Sequence, residues 1–417
     1  MRFTTPFSVI GAGPDMTDPR IPTLYLTRNG LLEPLGQSQV LAYLRGLSRD
    51  YRITLITYEK DADWADAARV ARQRAECAAL GIDWQPQRFL PRPRLIAPAL
   101  SMLRMVWLTA RAARRGGARL IHARSYIPAA VALVVSRLTG VPFLFDMRAL
   151  WPEELITAGR MRRGSLLHRA MVAAERACLG RAAGVVSLTH AAVDHLTRLY
   201  PVEMARARVA VIPTCADLDR FVPAATPPAG RVYGCLGTLL SGWFRLDWLA
   251  AFIAAAARRD SEARFDLTTR DDPATLRAAI DPAGTLGPRL RIAPSDPDRV
   301  QEVLWQQTAS VMFYAGGEVS ELGRSPTRMA EILGCGLPVV ANEGVGDVAR
   351  IIRDHRVGVL ATGPDPAAME AAFDALLALL DDPDLPRRCR HAAEAVFSLS
   401  GGTADYAALY ARILSSS

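Results

Sequence analysis

Lysine is almost absent from this chain. Lys60 is the only lysine among 50 basic residues, so nearly all of the positive charge behind the net +8 is carried by arginine. A charge of this size predicts an acidic partner. Aromatic side chains make up only 7% of the residues, they are not interleaved with the arginines, and no nucleic-acid-binding module is recognisable. Nucleic acid is therefore not expected, and nucleotide phosphates and anionic lipid are the better candidates.

Long apolar runs are also missing. No stretch of eighteen or more apolar residues occurs, so no membrane-spanning helix is expected. The first twenty residues contain glycine, proline and aspartate in place of a long apolar region, which predicts a loose leader and no secretory signal. These features favour a cytoplasmic protein, with peripheral binding to the inner face of the plasma membrane as a further option.

The six cysteines form no C-x-x-C pair and have no histidine at metal-binding spacing. Reduced thiols and no metal site are the simple interpretation. The cysteines are Cys77, Cys178, Cys215, Cys235, Cys335 and Cys389.

A chain of 417 residues has room for two domains, each with its own core. Short apolar or β-branched runs alternate with helical stretches, which predicts an α/β protein with doubly wound parallel sheets. The first series of strands is 24–27, 52–58, 120–123, 143–146, 184–188 and 209–212. The second series is 231–236, 263–268, 290–293, 310–314, 337–341 and 358–360.

A proline-rich stretch, residues 223–230, separates the two series and reads as an interdomain linker. The predicted domains are therefore residues 1–222 and 231–397, followed by a C-terminal helical segment, 398–417. Ligands of open α/β sheets bind at the carboxyl ends of the strands, so a cleft and its site residues are expected there.

The most informative segment runs from Ser325 to Asn342. Ser325 is a good N-cap and Pro326 suits the first helical position, so a helix is predicted to begin here, with its N-terminus free to attract phosphate. Arg328 adds a cationic fork, and Glu331 lies one turn further along, able to accept from ribose hydroxyls. The alternative is that the arginine and glutamate lie on an ordinary solvated face.

This segment resembles the donor-site motif of the retaining GT-B glycosyltransferases of family 4, in the variant that reads roughly Ser-x-Pro-Thr-Lys-x-x-Glu before a Gly-x-Pro-Val-Val strand. Arg328 stands where that variant usually has lysine. A second match is Glu33–Gln39, Glu-Pro-Leu-Gly-Gln-Ser-Gln, which is similar to the family's N-domain loop under the transferred sugar and the diphosphate. The resemblance implies that Gly36 and Gln37 contact the donor.

Two neighbouring strand ends resemble segments that border the family's acceptor pocket. The first contains Arg124 and Ser125, and the second contains Asp146 and Arg148. A carboxylate and guanidinium groups at strand ends suit the recognition of hydroxyl groups and of phosphate. The alternative is that Asp146 forms a salt bridge that only holds the loop. His122 is expected to be a core or strand-end histidine and not a catalyst.

The second series opens with a strand, a glycine-containing turn and a helix. Backbone N–H groups from Gly237 onward and the hydroxyls of Thr238 and Ser241 are suited to phosphate. The resemblance implies that Arg245 and Arg328 form the pair of cations on the diphosphate. Arg270, after the next strand, is expected either to touch the nucleotide base or phosphate or to be a surface turn residue.

One position departs from the family pattern. The usual signature has a second glutamate eight residues before Glu331, and Gly323 stands there. In this chain the role of that glutamate, which approaches the transferred sugar in the family, falls to Glu318, to Glu321 or to backbone groups. Asp347, in Gly-Val-Gly-Asp, is expected to favour the start of its own helix.

Residues 98–115 form a predicted apolar helix with Trp107 and a basic end, preceded by Arg88, Arg92 and Arg94. This composition fits a helix on an anionic membrane surface. A core helix of the first domain explains the same pattern.

The resemblance implies a metal-independent transferase that moves a sugar, with retention, from a nucleotide-diphosphate sugar to a glycan or lipid-linked acceptor in cell-surface polysaccharide or glycolipid synthesis. A non-catalytic nucleotide-sugar-binding subunit is the alternative, and an epimerase or hydrolase is a weaker one. The expected catalytic residues are Asp146, Arg148, Arg245, Arg328 and Glu331. The expected donor residues are Gly36, Gln37, Gly237, Thr238, Arg270, Ser325, Pro326, Thr327, Arg328 and Glu331. The expected acceptor residues are Arg124, Ser125, Asp146 and Arg148.

Overall fold

The structure is a computed structural model that describes residues 18–88, 97–226 and 228–416, with only the backbone of residues 97–100. Most of the predicted leader, together with Arg92 and Arg94 ahead of the predicted amphipathic helix, lies outside the described residues.

Seven strands form the first sheet, in the order β3-β2-β1-β4-β5-β6-β7. Neighbouring strands from β3 to β5 pair in parallel, so each connection returns over a face of the sheet. The strands are β1 (Ile21–Thr27), β2 (Tyr51–Glu59), β3 (Asp83–Arg88), β4 (Leu120–Arg124), β5 (Phe143–Asp146), β6 (Gly184–Ser187) and β7 (Val209–Val211).

Six further strands form the second sheet, in the order β10-β9-β8-β11-β12-β13, with parallel pairing throughout. They are β8 (Val232–Leu236), β9 (Arg264–Thr268), β10 (Leu290–Ala293), β11 (Ala309–Met312), β12 (Val339–Asn342) and β13 (Gly358–Ala361). Two parallel sheets confirm the predicted α/β class.

Helices connect the strands. They are α1 (Pro34–Gly36), α2 (Ala42–Leu47), α3 (Asp61–Trp64), α4 (Ala67–Ala79), α5 (Ala97–Arg115), α6 (Tyr126–Thr139), α7 (Trp151–Thr157), α8 (Leu166–Leu179), α9 (His190–Leu199), α10 (Pro201–Arg206), α11 (Leu246–Arg259), α12 (Pro273–Ile280), α13 (Val300–Leu304), α14 (Thr327–Gly334), α15 (Val348–His355), α16 (Pro366–Leu380), α17 (Leu385–Phe397) and α18 (Leu399–Leu414). A π-helical turn, Gln37–Leu41, joins α1 to α2, and 3-10 turns occur at Gly287–Arg289, Pro297–Arg299 and Val319–Gly323.

All twelve predicted strands are present, with ends shifted by at most three residues. The strand β3, Asp83–Arg88, was not predicted because it is polar and contains Pro86. Proline is tolerated on an edge strand, where no further strand needs its missing N–H, and β3 lies at the edge of the first sheet.

The chain divides into two compact units. The first contains the described residues up to Asp146, Arg181–Val185, and the chain from Ala408 onward, and the second contains Met147–Gly180 and Val186–Ala407. The predicted linker, 223–230, falls within the range of the second unit, and its Pro227 is not described. The predicted domain boundaries stay predictions.

In the first unit, the end of α18 packs closely on β6 because Gly184 has no side chain. A Cβ atom at Gly184 would lie 2.9 Å from Cδ1 of Ile413 and 3.3 Å from Cδ1 of Leu409. Because the interior is packed this tightly, a larger side chain at position 184 would displace α18.

The second unit contains two apolar clusters. One surrounds β8 and β9 and includes Tyr233, Phe252 and Phe373, and the other packs α14 and α17 together around Met329 and Cys389. Burial of this apolar surface is the main favourable term in folding, and it holds the carboxyl ends of the strands in place.

All six cysteines are buried and form no disulfide. Among the described residues, no helix is long and apolar enough to cross a membrane.

Candidate functional site

The start of α14 differs by one residue from the prediction. Pro326 is the N-cap, with φ −68° and ψ 116°, and Thr327 is the first helical residue. Ser325 does not cap the helix: its Oγ accepts from the backbone N–H of Thr214 at 3.0 Å. Because Pro326 has no N–H to offer, the first donors at this helix start belong to Thr327 and Arg328.

Arg328 joins the start of α14 to the end of β8. Its Nη1 donates to the carbonyl oxygen of Leu236 at 2.9 Å. Gly237 has a φ of 116°, and a Cβ atom there would overlap the Arg328 guanidinium. Because Gly237 has no side chain, the Arg328 guanidinium packs directly against the backbone. The remaining N–H donors of Arg328 are thereby held at the end of β8, where they can bind an anion.

Glu331 is half-buried one turn after Arg328. Burial raises the pKa of its carboxyl to about 7, although Arg328 and Arg220 act in the opposite direction. Near neutral pH this group therefore changes its protonation state, and a ligand that donates hydrogen bonds to it would favour the ionised form.

The turn after β8 is not the open phosphate cradle that was predicted. Asp271 Oδ2 accepts from the backbone N–H groups of Leu239 and Leu240, at 2.5 and 3.0 Å, and from Thr269 Oγ1 at 2.9 Å. A carboxylate already holds these donors, and the backbone N–H of Gly237 donates to the carbonyl oxygen of Thr268 at 2.8 Å. Only the part of the turn at exposed Thr238 is therefore open to an anion. This role of Asp271 was not predicted from the sequence.

The hydroxyl of Ser241 is also engaged, because it donates to the carbonyl oxygen of Thr238 at 3.4 Å. Arg270 is exposed, and it lies in the sequence between Thr269 and Asp271, whose side chains hydrogen-bond to each other. It lines a groove of about 970 Å³ on the second unit, together with Asp266 and Arg291.

Arg245 is a partly compensated cation. Its Nε and Nη2 donate to Asp247 at 2.9 and 2.6 Å, and its guanidinium lies 5.2 Å from the ring centre of Trp248. Hydrogen bonding to Asp247 raises the pKa of Arg245 above its ordinary value. A phosphate would have to compete with Asp247 for this arginine.

Arg324 is a cation that the sequence analysis did not consider. It donates to both oxygens of the fully buried Glu321, at 2.5 and 2.9 Å. Its guanidinium also lies 5.0 Å from the ring centre of Trp243 and 5.6 Å from that of Tyr314. The signal was present in the sequence as a Glu-x-x-Arg pair next to Ser325.

Glu318 and Glu321, the two glutamates considered for the role that Gly323 leaves open, have different surroundings. Glu321 is committed to Arg324, whereas Glu318 is exposed and its carboxylate makes no hydrogen bond or ion pair with the described part of the chain. Glu318 is therefore the carboxylate in this loop that is available to a ligand.

Asp347 caps a different helix from the one expected. Its carboxylate accepts from the backbone N–H groups of His190 and Ala191 at 2.8 and 3.1 Å, at the start of α9. It makes no side-chain cap on α15, although it occupies the N-cap position there. An acidic side chain at a helix N-terminus is favourable, so Asp347 fixes α9 against its own loop.

In the first unit, Gly36 and Gln37 organise the loop before them. A Cβ atom at Gly36 would overlap the carbonyl oxygen of Gly30. Gln37 Nε2 donates to the carbonyl oxygen of Leu31 at 2.5 Å and to Gln73 Oε1 at 2.6 Å. Any donor contact through Gln37 has to be made alongside these bonds.

The carboxylate of Glu59 completes that loop and was not foreseen. It is fully buried and accepts from the backbone N–H groups of Leu31 and Leu32, at 2.7 and 3.1 Å, and from Thr57 Oγ1 at 2.6 Å. No sequence pattern near Glu59 indicates that it receives donors from a segment 27 residues away.

Asp146 is buried, with a side chain only 1% exposed, and His122 Nε2 lies 3.3 Å from its Oδ2. Arg124 is also buried, and its Nη1 donates to Asn29 Oδ1 at 3.0 Å. His122 is thus the hydrogen-bonded core histidine that was expected. The depth of Asp146 favours a structural part for this carboxylate over direct contact with a ligand.

Ser125 and Arg148 have left-handed backbone conformations, with φ values of 80° and 62°. Only three non-glycine residues of the described chain have positive φ, and two of them are predicted acceptor residues. The ψ of 173° at Ser125 lies in a region populated almost only by glycine. Strain of this kind persists where the surrounding structure fixes it, and it is frequent at functional sites.

Among the described residues, no group of three or more His, Cys, Asp and Glu side chains could hold a metal ion. Metal independence stays a prediction.

Two family profiles match this chain. The profile described as "Glycosyl transferase 4-like domain" covers residues 36–215, and that described as "Glycosyl transferases group 1" covers residues 230–381. A curated relative, the 2-deoxystreptamine N-acetyl-D-glucosaminyltransferase of Streptomyces fradiae, is 30% identical in an alignment of 341 positions that covers 75% of each chain. The chain belongs to this family of glycosyltransferases.

Solved structures agree on the fold. Sucrose-phosphate synthase of Thermosynechococcus elongatus matches with a TM-score of 0.71 at 16% identity, over 95% of this chain and 100% of that one. HepE of Anabaena, in complex with UDP and glucose, matches with a TM-score of 0.65 at 16% identity, over 94% of this chain and 100% of that one. At such identities the likeness shows the fold alone, which is GT-B.

The strain at Ser125 generates a stability prediction. Ser125→Gly should raise the stability of the protein by about 1 kcal/mol, because relief of roughly 1–3 kcal/mol of backbone strain exceeds the entropy that glycine adds to the unfolded chain. Thermal melting measures it. Ser125→Ala is the matched control, since it removes the hydroxyl and keeps the strain, and a Gly variant that melts below the Ala variant would contradict the prediction.

Proposed function

We propose that this chain is a retaining glycosyltransferase that moves a sugar from a nucleotide-diphosphate sugar to a hydroxyl group. The observation that carries the proposal is the position of Arg328, with its guanidinium against Gly237 at the end of β8 and its backbone at the start of α14. A diphosphate leaving group needs a fixed cation and free N–H groups, and this arrangement supplies both.

In the proposed reaction the bond between C1 of the sugar and the diphosphate oxygen breaks, and a bond from C1 to the acceptor oxygen forms on the same face. The acceptor's hydroxyl proton passes to the leaving phosphate oxygen, so no protein base is required. Negative charge grows on the diphosphate during this step, and Arg328 with the first N–H groups of α14 stabilises it. Glu331 accepts hydrogen bonds from the ribose.

We propose a uridine-diphosphate hexose or N-acetylhexosamine as the donor class. HepE, a structural neighbour, is described in complex with UDP and glucose, and the Streptomyces fradiae relative is named for the transfer of N-acetyl-D-glucosamine. Glu318, which is exposed and without a partner in the described chain, is the group proposed to meet the sugar hydroxyls in place of the family's first glutamate.

On the acceptor side, Arg124, Ser125, Asp146 and Arg148 are proposed to form the binding segment. Burial of Asp146 indicates that it holds the segment, while the strained backbones of Ser125 and Arg148 present the groups that meet the acceptor. A glycan or a lipid-linked glycan is the proposed acceptor class. The proposed location is the cytoplasm, and the proposed reaction needs no metal ion.

Release of nucleoside diphosphate tests the reaction. UDP should accumulate only when a UDP-sugar and an acceptor are both present, and Arg328→Ala should lower turnover by about 10²–10³-fold because it removes a donor to the growing charge. Arg258→Ala, which removes an exposed helical arginine paired with Glu370, is the matched control and should keep full turnover. Nucleotide binding without turnover across a broad acceptor panel would instead support a non-catalytic subunit.

Ionisation of Glu331 predicts a pH-dependent affinity. A carboxylate accepts from both ribose hydroxyls, whereas the protonated acid does so less well, and the pKa of about 7 means that binding at pH 6 must first release a proton. The dissociation constant for UDP should therefore fall by about tenfold from pH 6 to pH 8, measured by calorimetry. Glu331→Gln is the control that isolates this effect from titration of the nucleotide's own phosphate, and an equal pH dependence in both proteins would contradict it.

We further propose that α5 and α6 form a docking surface for an anionic membrane. These two helices contain five arginines and no acidic residue, and the arginines are Arg104, Arg111, Arg114, Arg115 and Arg137. The two helices pack against each other in the first unit. Such a surface has the charge that complements anionic lipid.

The same surface is apolar at its centre. Leu103 and Trp107, one turn apart on α5, are 66% and 58% exposed, and Leu138 on α6 is 58% exposed. Arg111 lies 5.4 Å from the ring centre of Trp107, and Arg114 donates to the carbonyl oxygen of Leu138 at 3.1 Å. Exposed apolar side chains ringed by arginines are typical of helices that lie in the membrane interface. The composition of α5 indicated such a surface, whereas the contribution of α6 was not predicted from the sequence.

Sedimentation with vesicles tests the docking surface. The protein should bind vesicles that contain phosphatidylglycerol, bind neutral phosphatidylcholine vesicles much less, and lose binding at high salt. Leu103→Glu should weaken binding by at least tenfold. Leu166→Glu, at an 84% exposed leucine on α8, is the matched control and should bind normally. Equal binding to neutral vesicles, or equal loss in both variants, would contradict the proposal.

A further inference from the structure

A buried chain of hydrogen bonds crosses the first unit. The hydroxyl of Tyr410, on α18, lies 2.5 Å from Nδ1 of His122, and Nε2 of His122 lies 3.3 Å from Oδ2 of Asp146. None of the three side chains is more than 1% exposed. The chain therefore runs from the C-terminal helix, through β4, to the end of β5 without contact with solvent.

The protons of this chain can be assigned from its chemistry. Burial, reinforced by Tyr25, Asp146 and Tyr51, raises the pKa of Tyr410 well above its ordinary value, so the phenol keeps its proton. Of the two neutral tautomers of His122, only the one protonated at Nε2 accepts from this phenol at Nδ1 and donates to the Asp146 carboxylate, because the other would direct the Nε2 lone pair at the carboxylate. One tautomer of His122 satisfies both neighbours.

Ring packing holds the same groups. Tyr25 stacks on His122 with 4.1 Å between ring centres, and Tyr51 meets Tyr410 edge to face at 5.0 Å. The rings leave His122 little freedom to turn, so the hydrogen bonds at both of its nitrogens are directional constraints and not incidental contacts.

The chain ends on a proposed acceptor residue. The backbone N–H of Ser125, whose φ is 80°, donates to the carbonyl oxygen of Asp146 at 2.7 Å. Asp146 therefore joins the buried hydrogen-bond chain, which it meets with its side chain, to the strained backbone of Ser125, which it meets with its carbonyl group.

We infer that Tyr410 and His122 are positioning residues for acceptor binding: the hydrogen bonds from Tyr410 through His122 to Asp146 fix the backbone at Ser125. The inference rests on the proposed function, because it takes the segment of Ser125 to be on the acceptor side. Tyr410 is fully buried and touches no substrate, so its effect passes entirely through His122 and Asp146.

Kinetics with Tyr410→Phe tests the inference. The variant keeps the ring packing and removes only the hydroxyl that fixes His122. The KM for the acceptor should rise by about tenfold, the loss expected for one buried hydrogen bond, while the KM for the donor stays within about twofold of the wild type. If the hydroxyl of Tyr410 had a purely structural role, the variant would be less stable but the acceptor KM would not rise relative to the donor KM.

Tyr233→Phe is the matched control. Tyr233 is an equally buried tyrosine in the core of the second sheet, and its hydroxyl has no hydrogen-bond partner in the described structure. This variant should leave both KM values unchanged. If Tyr410→Phe changes neither KM, or changes both alike, the inference is overturned.

Nitrogen-15 NMR of labelled histidine gives a readout that needs no activity. There are six histidines, and a His122→Gln spectrum identifies the signals of His122. The wild type should show the Nε2-protonated tautomer, and Tyr410→Phe should change it. A proton on Nδ1 in the wild type, or no change of tautomer in the variant, would overturn the inference. This result does not depend on activity. A wild type that transfers no sugar would refute the proposed function and is a separate outcome.

Discussion

The contact of the Arg328 guanidinium with the backbone of Gly237 is the constraint on which the candidate donor site depends. It joins the end of β8 to the start of α14, two places that are 91 positions apart in the sequence numbering. Gly237 permits the contact because it has no side chain and adopts a φ of 116°. Without this contact, Arg328 would have no fixed position at the end of β8. The start of α14 would then offer N–H groups to a phosphate but no cation.

Three carboxylates fix loops of the two units by accepting hydrogen bonds from backbone N–H groups. Asp271 binds the turn after β8, Asp347 caps α9, and Glu59 binds the loop before α1. Each satisfies donors that would otherwise be unpaired in a tight loop. The backbone donors that stay open for a ligand in the second unit are therefore those at the start of α14 and at Thr238, and this narrows where a diphosphate can lie.

Much of the fold followed from the sequence, because buried parallel strands are short apolar runs at regular intervals. The exception, β3, is polar and carries Pro86, and only its place at the sheet edge explains why it pairs. The site was less predictable. Arg245 looked like a phosphate ligand until its pairing with Asp247 appeared, and Asp271 could not be connected to the turn it holds without knowing which loops meet.

The most direct measurement is the change in melting temperature that UDP, GDP, ADP, TDP and CMP cause in the wild type and in Gly237→Ala. A ligand at a hundred times its dissociation constant adds about 2.7 kcal/mol, which raises the melting temperature by several degrees. The account predicts such a shift in the wild type with one nucleotide, and none in Gly237→Ala, where the methyl group displaces Arg328. An equal shift in both proteins, or none in the wild type with any nucleotide, would contradict it.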